Sequence, residues 1–179
     1  NKVAFWTENQ DITAFDGIDN YTMELWVYVG IQDINNWGYI MGKSSFWGAN
    51  DGGIFINSDG ANWAAHTSTS PQVAADIQAN GWHHIAFVRN LSDANCRKFY
   101  VDNSVYIQDN TGDSSGGSHT LNNNCALTIG GSSVGNTSSF SNPNYTIQNF
   151  AYGHGRFYTA ALTAAQITQN WSAERTIYN

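Results

Sequence analysis

The sequence predicts an all-β fold, and three observations carry that prediction. Short alternating segments are punctuated by Gly and Asn, strong helix formers are scarce, and a single helix signal occurs near the end. Charged residues make up only 12% of the 179 positions, and Glu occurs three times, at Glu8, Glu24 and Glu174. Asn, Ser, Thr and Gly supply the polarity instead, which favours strands joined by turn-rich loops over long helices. Apolar residues account for 41% and aromatics for 14%, enough for a substantial core in one domain spanning 1–179.

Taken in order, Tyr21–Val29 alternates cleanly: Tyr21, Met23, Leu25, Val27 and Val29 share one face, and Thr22, Glu24, Trp26 and Tyr28 the other. The second face carries large aromatics, so it too is expected to be covered. Further strands are predicted at Gly38–Lys43, Gly53–Asn57, Asn62–Thr67, Trp82–Arg89, Arg97–Val101, Val105–Gln108, Ala126–Gly130 and Gln148–Tyr158. Asp102-Asn103-Ser104 joins two alternating runs as a tight hairpin turn. The polar stretches Asp109–Asn124 and Ser132–Asn144 read as surface loops. Thr163-Ala-Ala-Gln166 has capping-box spacing, and Ile167 and Trp171 fall on one face, predicting a short helix from Ala164 to about Trp171.

These segments resemble the laminin-G-like branch of the concanavalin A-like lectin/glucanase superfamily. Phe15-Asp-Gly-Ile-Asp-Asn-Tyr21 looks like the family's opening "F-D-G-x-D-D-Y", and Met23-Glu-Leu-Trp-Val27 like its Trp-bearing strand. Gly81-Trp-His-His-Ile-Ala-Phe-Val-Arg89 is similar to its "W-H-H-V-A" strand, and Phe99-Tyr-Val-Asp-Asn103 to its "Y-V-D-G" hairpin. Leu127-Thr-Ile-Gly-Gly131 resembles its "L-x-I-G-G" strand, and Arg156 to Ile167 its closing "R-x-Y-x-x-A-L-[ST]-x-x-x-I". Asn103 stands where the family has a turn Gly, and Asn20 where it has Asp. The resemblance implies a two-sheet antiparallel jelly-roll sandwich with one short C-terminal helix. The fold alone leaves function open, since it hosts lectins, enzymes, adhesion modules and spacers.

Several function classes are disfavoured by the residues themselves. A net charge of −7 with seven scattered basic residues gives no footprint for nucleic acid. No apolar run approaches 18 residues, so membrane insertion is not expected. Glycoside hydrolysis needs two carboxyls at fixed separation, which strands supply at i, i+2 or i, i+4. No Glu-x-Asp-x-x-Glu or similar run exists here, the three Glu are widely separated, and the chain is read as non-catalytic. His83 and His84 adjoin on one strand and point to opposite faces, so they do not form one metal site.

Binding chemistry is better represented. Trp37 and Tyr39, Trp47 with Asn50 and Asp51, and Trp63 sit in Gly- and Asn-rich contexts. Such aromatics stack on sugar rings while amides and carboxylates fix the hydroxyls, although the Trp rings equally suit caps folded back on the sandwich. Asp16 and Asp19 flank a Gly turn; they fit either a calcium site, as the resemblance implies, or an Asx-stabilised turn. Cys96 and Cys125 each begin a strand at one predicted edge, so a disulfide fits, and it would imply an oxidising compartment. Five Asn-x-Ser/Thr sequons begin at Asn20, Asn90, Asn136, Asn144 and Asn170. The chain starts at Asn1, which leaves a processed or excised domain and a fragment equally open.

The resulting expectation is a carbohydrate-binding or adhesion module of an extracellular, secreted or virion-surface protein. Its partner is a glycan or cell-surface carbohydrate. The alternative is a decoration, fibre or spacer domain that binds neighbouring protein subunits in a larger assembly.

Overall fold

A computed structural model describes residues 5–6, 17–29, 38–43, 52–58, 63–66, 74–75, 81–109, 127–129 and 150–178. The chain forms two compact units interleaved in sequence: 1–19, 32–76 and 111–149 make the first, and 20–31, 77–110 and 150–179 the second.

The first unit holds a six-stranded sheet built from β1 (Phe5–Trp6), β3 (Gly38–Lys43), β4 (Gly52–Ser58), β5 (Trp63–His66), β6 (Ala74–Ala75) and β10 (Leu127–Ile129). Its order is β1-β10-β3-β4-β5-β6, with antiparallel pairing throughout. The two-residue strands β1 and β6 are too short to leave an alternation signal in the sequence.

The second unit holds a five-stranded antiparallel sheet ordered β11-β2-β7-β8-β9, from β2 (Tyr21–Val29), β7 (Gly81–Arg89), β8 (Arg97–Val101), β9 (Ser104–Asp109) and β11 (Phe150–Tyr158). Both faces of β2 are buried. Tyr21, Met23, Leu25 and Val27 are fully enclosed on one, and Thr22, Glu24 and Trp26 are equally closed on the other. The cover on that second face is the C-terminal helix α1 (Ala164–Tyr178). Ile167 packs with Ala86, Val88 and Tyr100, and Ala161 and Leu162 flank this cluster.

Local chemistry explains the connections. Asp102 and Asn103 form the two-residue turn between β8 and β9 at φ 46° and 68°. Positive φ at both positions is the primed turn that suits strand twist, and Asp and Asn tolerate it better than other non-glycine residues. The capping box forms as predicted: Gln166 N donates to Thr163 Oγ1 (3.3 Å) and Thr163 N donates to Gln166 Oε1 (2.8 Å). Thr22 pins the entry to the helix, donating to Ala160 O (3.0 Å) and accepting from Leu162 N (2.9 Å). The helix corrects one expectation, because it continues to Tyr178 rather than ending near Trp171. Among the described residues no helix is long and apolar enough to cross a membrane.

Candidate functional site

The ligand residues expected from the sequence distribute unevenly. Trp37, Trp47, Asn50, Asp51, Asp16 and Cys125 lie outside the described residues. Tyr39 sits in β3 and Trp63 in β5, with β4 between them. Register separates the two. Tyr39 pairs Phe55, which pairs His66, whereas Trp63 pairs Ser58, two positions from Ile56 and four from Ile54, the partner of Met41. Tyr39 and Trp63 thus lie at different register positions along β4. Asp19 is half-buried two residues after Gly17, whose φ of 64° is the turn that Gly permits. Cys96 is buried immediately before β8.

The sequence reading missed the most extended polar arrangement among the described residues, which lies between the five-stranded sheet and α1. Glu24 Oε1 accepts hydrogen bonds from Arg156 Nη1 (3.0 Å), Tyr158 Oη (3.1 Å) and Asn170 Nδ2 (3.0 Å). Asn170 Nδ2 also reaches Glu24 Oε2 at 3.2 Å and Tyr158 Oη at 3.0 Å. Arg156 turns its other nitrogen to Glu174, whose Oε1 also meets His154 Nδ1 at 3.1 Å. Two of the three glutamates in the chain thus share one guanidinium. A signal for this existed: a rare charge centred on an aromatic strand face has to be paired once that face is covered.

Burial works to raise the Glu24 pKa, but His84, whose Nε2 lies 3.7 Å from Oε2, together with Asn170 and Tyr158 outweighs it and holds the carboxyl below its ordinary value. Glu174 behaves likewise, with burial overcome by Arg156 and His154. Arg156 is raised, chiefly through Glu174. Both carboxylates are therefore charged and committed to internal partners. Glu24 is fully enclosed and Glu174 nearly so, and the pair fastens the helix to the sheet. Asn170 spends its amide nitrogen in the same place, which closes that sequon to a glycan.

The sign of the pH effect follows. A carboxyl with a depressed folded pKa contributes stability that is complete above its unfolded value, here the ordinary 4.5, and is lost as pH falls through the folded pKa. Denaturant titrations from neutral pH to about pH 3 should show stability falling below that value. A Glu24→Gln variant should show a shallower fall, and an equal slope would refute the assignment.

The adjacent histidines diverge as strand geometry requires. His84 is enclosed against Trp26, with ring centroids 5.3 Å apart. His83 Nδ1 meets Asp102 Oδ2 at 2.7 Å, and Asp102 Oδ1 accepts from His84 N at 3.0 Å. The pair braces the β8–β9 turn from β7, and Asp102 N returns a bond to His84 O at 2.9 Å. Among the described residues no group of three or more His, Cys, Asp or Glu is placed to hold a metal ion.

Comparison with known proteins gives this arrangement a context. No curated protein matches the chain. Among solved structures, a candidate carbohydrate binding protein from Bacteroides ovatus superimposes with a TM-score of 0.67 at 14% identity, over 93% of this chain and 44% of that one. A pentraxin from Limulus polyphemus matches with a TM-score of 0.60 at 15% identity, over 92% of this chain and 79% of its own. A sialidase from Trypanosoma rangeli matches with a TM-score of 0.59 at 14% identity, over 89% of this chain but only 24% of its own. The chain thus spans under half of the Bacteroides protein and about a quarter of the sialidase. At such identities the likeness is one of fold. The laminin-G-like family model of the concanavalin A-like lectin/glucanases superfamily matches residues 7–168, and the chain belongs to that superfamily.

Proposed function

We propose that this chain is a non-catalytic carbohydrate-binding or adhesion module. The observation that carries the reading is the family match, which runs through residues 7–168 and brings a fold shared with a candidate carbohydrate binding protein. The ligand is a glycan, taken by Trp37, Tyr39, Trp47, Asn50, Asp51 and Trp63 of the first unit. Asp16 and Asp19 hold a calcium ion, with carboxylate oxygens of the kind that hard cations select. The setting is extracellular, secreted or the surface of a virion. Support for a non-catalytic role comes from Glu24 and Glu174, whose carboxylates are already committed to internal partners.

A glycan array probed with and without calcium tests this reading. Binding to at least one glycan class is expected, weakened about tenfold or more by Trp47→Ala or Trp37→Ala, as loss of one aromatic anchor implies. Silence across the array in both conditions would overturn the proposal.

A further inference from the structure

The other unit contains a cavity whose lining is chemically mixed. Where the β7–β8 connection meets the start of α1, Val88, Asn90, Asp93, Asn95, Cys96, Lys98, Tyr100 and residues 161–164 enclose a cavity of about 230 Å³. Tyr100 is only 3% exposed and its ring belongs to the packed cluster beneath Ile167. Burial raises the Tyr100 pKa, with Lys98 and Asp93 acting on it by charge alone; among the described residues no group hydrogen-bonds its hydroxyl. The ring is enclosed, but the hydroxyl is not one of the buried unpartnered polar atoms, so it opens onto the cavity and can hydrogen-bond a guest there.

The walls decide what that something is. Lys98 Nζ is paired with Asp93 Oδ2, so the two charges cancel. The helix start offers little to an anion, because Thr163 and Gln166 satisfy each other's backbone donors and Ile167 N is bound to Thr163 O. What remains is neutral and mixed: a phenol, the side chains of Asn90 and Asn95, one charge-balanced pair, and an apolar wall of Val88, Ala161 and Leu162. The turn is rigid, since Asn90 Oδ1 accepts from Ser92 N (3.1 Å), Asp93 Oδ1 from Asn95 N (3.1 Å), and Asn90 N donates to Cys96 O (2.7 Å). Alternating donors and acceptors beside a small apolar surface suit a ring bearing several hydroxyls. The volume lies below the roughly 300 Å³ at which drug-sized pockets begin.

We infer that this cavity is a second glycan subsite, which takes a single uncharged monosaccharide unit with Tyr100 as its central hydrogen-bonding group. Only the ligand class rests on the proposed function; the residues are different and lie in the other unit.

The test is an amide-resolved NMR titration of the full chain with the methyl glycosides of glucose, galactose, mannose and N-acetylglucosamine. Saturable shifts are expected at Asn95, Lys98, Tyr100 and residues 162–164 for at least one sugar. Tyr100→Phe, which keeps the ring and its packing, should weaken that binding about fivefold, the value of one neutral hydrogen bond. Ala164→Phe, at an exposed helix position lining the cavity, should abolish it, while Trp47→Ala leaves it unchanged. Absence of saturable shifts at these amides for all four sugars would overturn the subsite, as would unchanged affinity in Tyr100→Phe. Array binding lost in Trp47→Ala without such shifts would remove this site and leave the first intact.

Discussion

Replacing Glu24 with alanine is expected to lower stability by about 3 kcal/mol, the low end of what breaking a buried ion pair costs. The low end applies because Arg156 keeps Glu174 as a counter-charge, and its side chain is 36% exposed to water. What the substitution abandons lies deeper. Tyr158 and Asn170 lose their shared acceptor, and a fully enclosed site on β2 is left hollow beneath the helix. For a chain of this length the melting temperature should drop by roughly 6–12 °C. Glu24→Gln preserves the volume and one acceptor, and should recover part of that loss. Calorimetry on the three proteins decides the matter; a drop below about 2 °C in the alanine variant would show that packing alone holds the helix.

The same cluster explains where the sequence misled. The helix start was legible because Thr163 and Gln166 form a local motif whose partners lie three residues apart. Its end was not. The positions that approach the sheet are Ile167, Asn170, Glu174 and Tyr178, a proper helical stripe, but its two middle members are polar. A search for apolar periodicity loses the stripe after Trp171, which instead lies under Arg175, with the guanidinium 4.8 Å from its ring. The buried face is closed by polar contacts to Glu24 over 132 to 146 positions of sequence, which no local pattern encodes.

Strands fared better, because alternation is local. The bounds of β2, β3 and β8 coincide with the expected Tyr21–Val29, Gly38–Lys43 and Arg97–Val101; the other expected strands differ by one or two residues at one or both ends, and β1 and β6 were not expected. The hairpin at Asp102 and Asn103 was equally legible, since the turn is made by the residues that specify it. Ligand residues are a different case. Spacing grouped Tyr39 with Trp63 as aromatics among Gly and Asn, and pairing sets them on β3 and β5 with β4 between. The irregularity between Tyr39 and Met41 shifts which residues share a face, and such a bulge depends on pairing with β4 rather than on β3 alone. The cavity around Tyr100 was illegible for a similar reason, because its walls come from segments about sixty residues apart.

A second bulge supports the last expected result, a strong effect from the smallest possible substitution. Along β11 the register passes from Tyr152–Val27 to Gly155–Leu25, so Gly153 and His154 together face Trp26. Tyr178 lies on this spot, stacked on Trp26 with centroids 4.7 Å apart and packed against Trp82 at 4.8 Å. Its hydroxyl accepts a bond from His154 N at 2.7 Å. A Cβ on Gly153 would stand 2.5 Å from Cε1, Cζ and Oη of that ring. The backbone there is not in the left-handed region, so space alone demands glycine. Gly153→Ala should therefore expel Tyr178 and cost about 2 kcal/mol in overpacking and lost aromatic contact. In a Tyr178→Ala background the same change should be neutral, or stabilise by a few tenths of a kcal/mol through the unfolded chain. Denaturant unfolding of the four proteins gives the coupling directly. An equal cost of Gly153→Ala in both backgrounds would mean that the bulge needs glycine for its own backbone and that the ring merely rests on it.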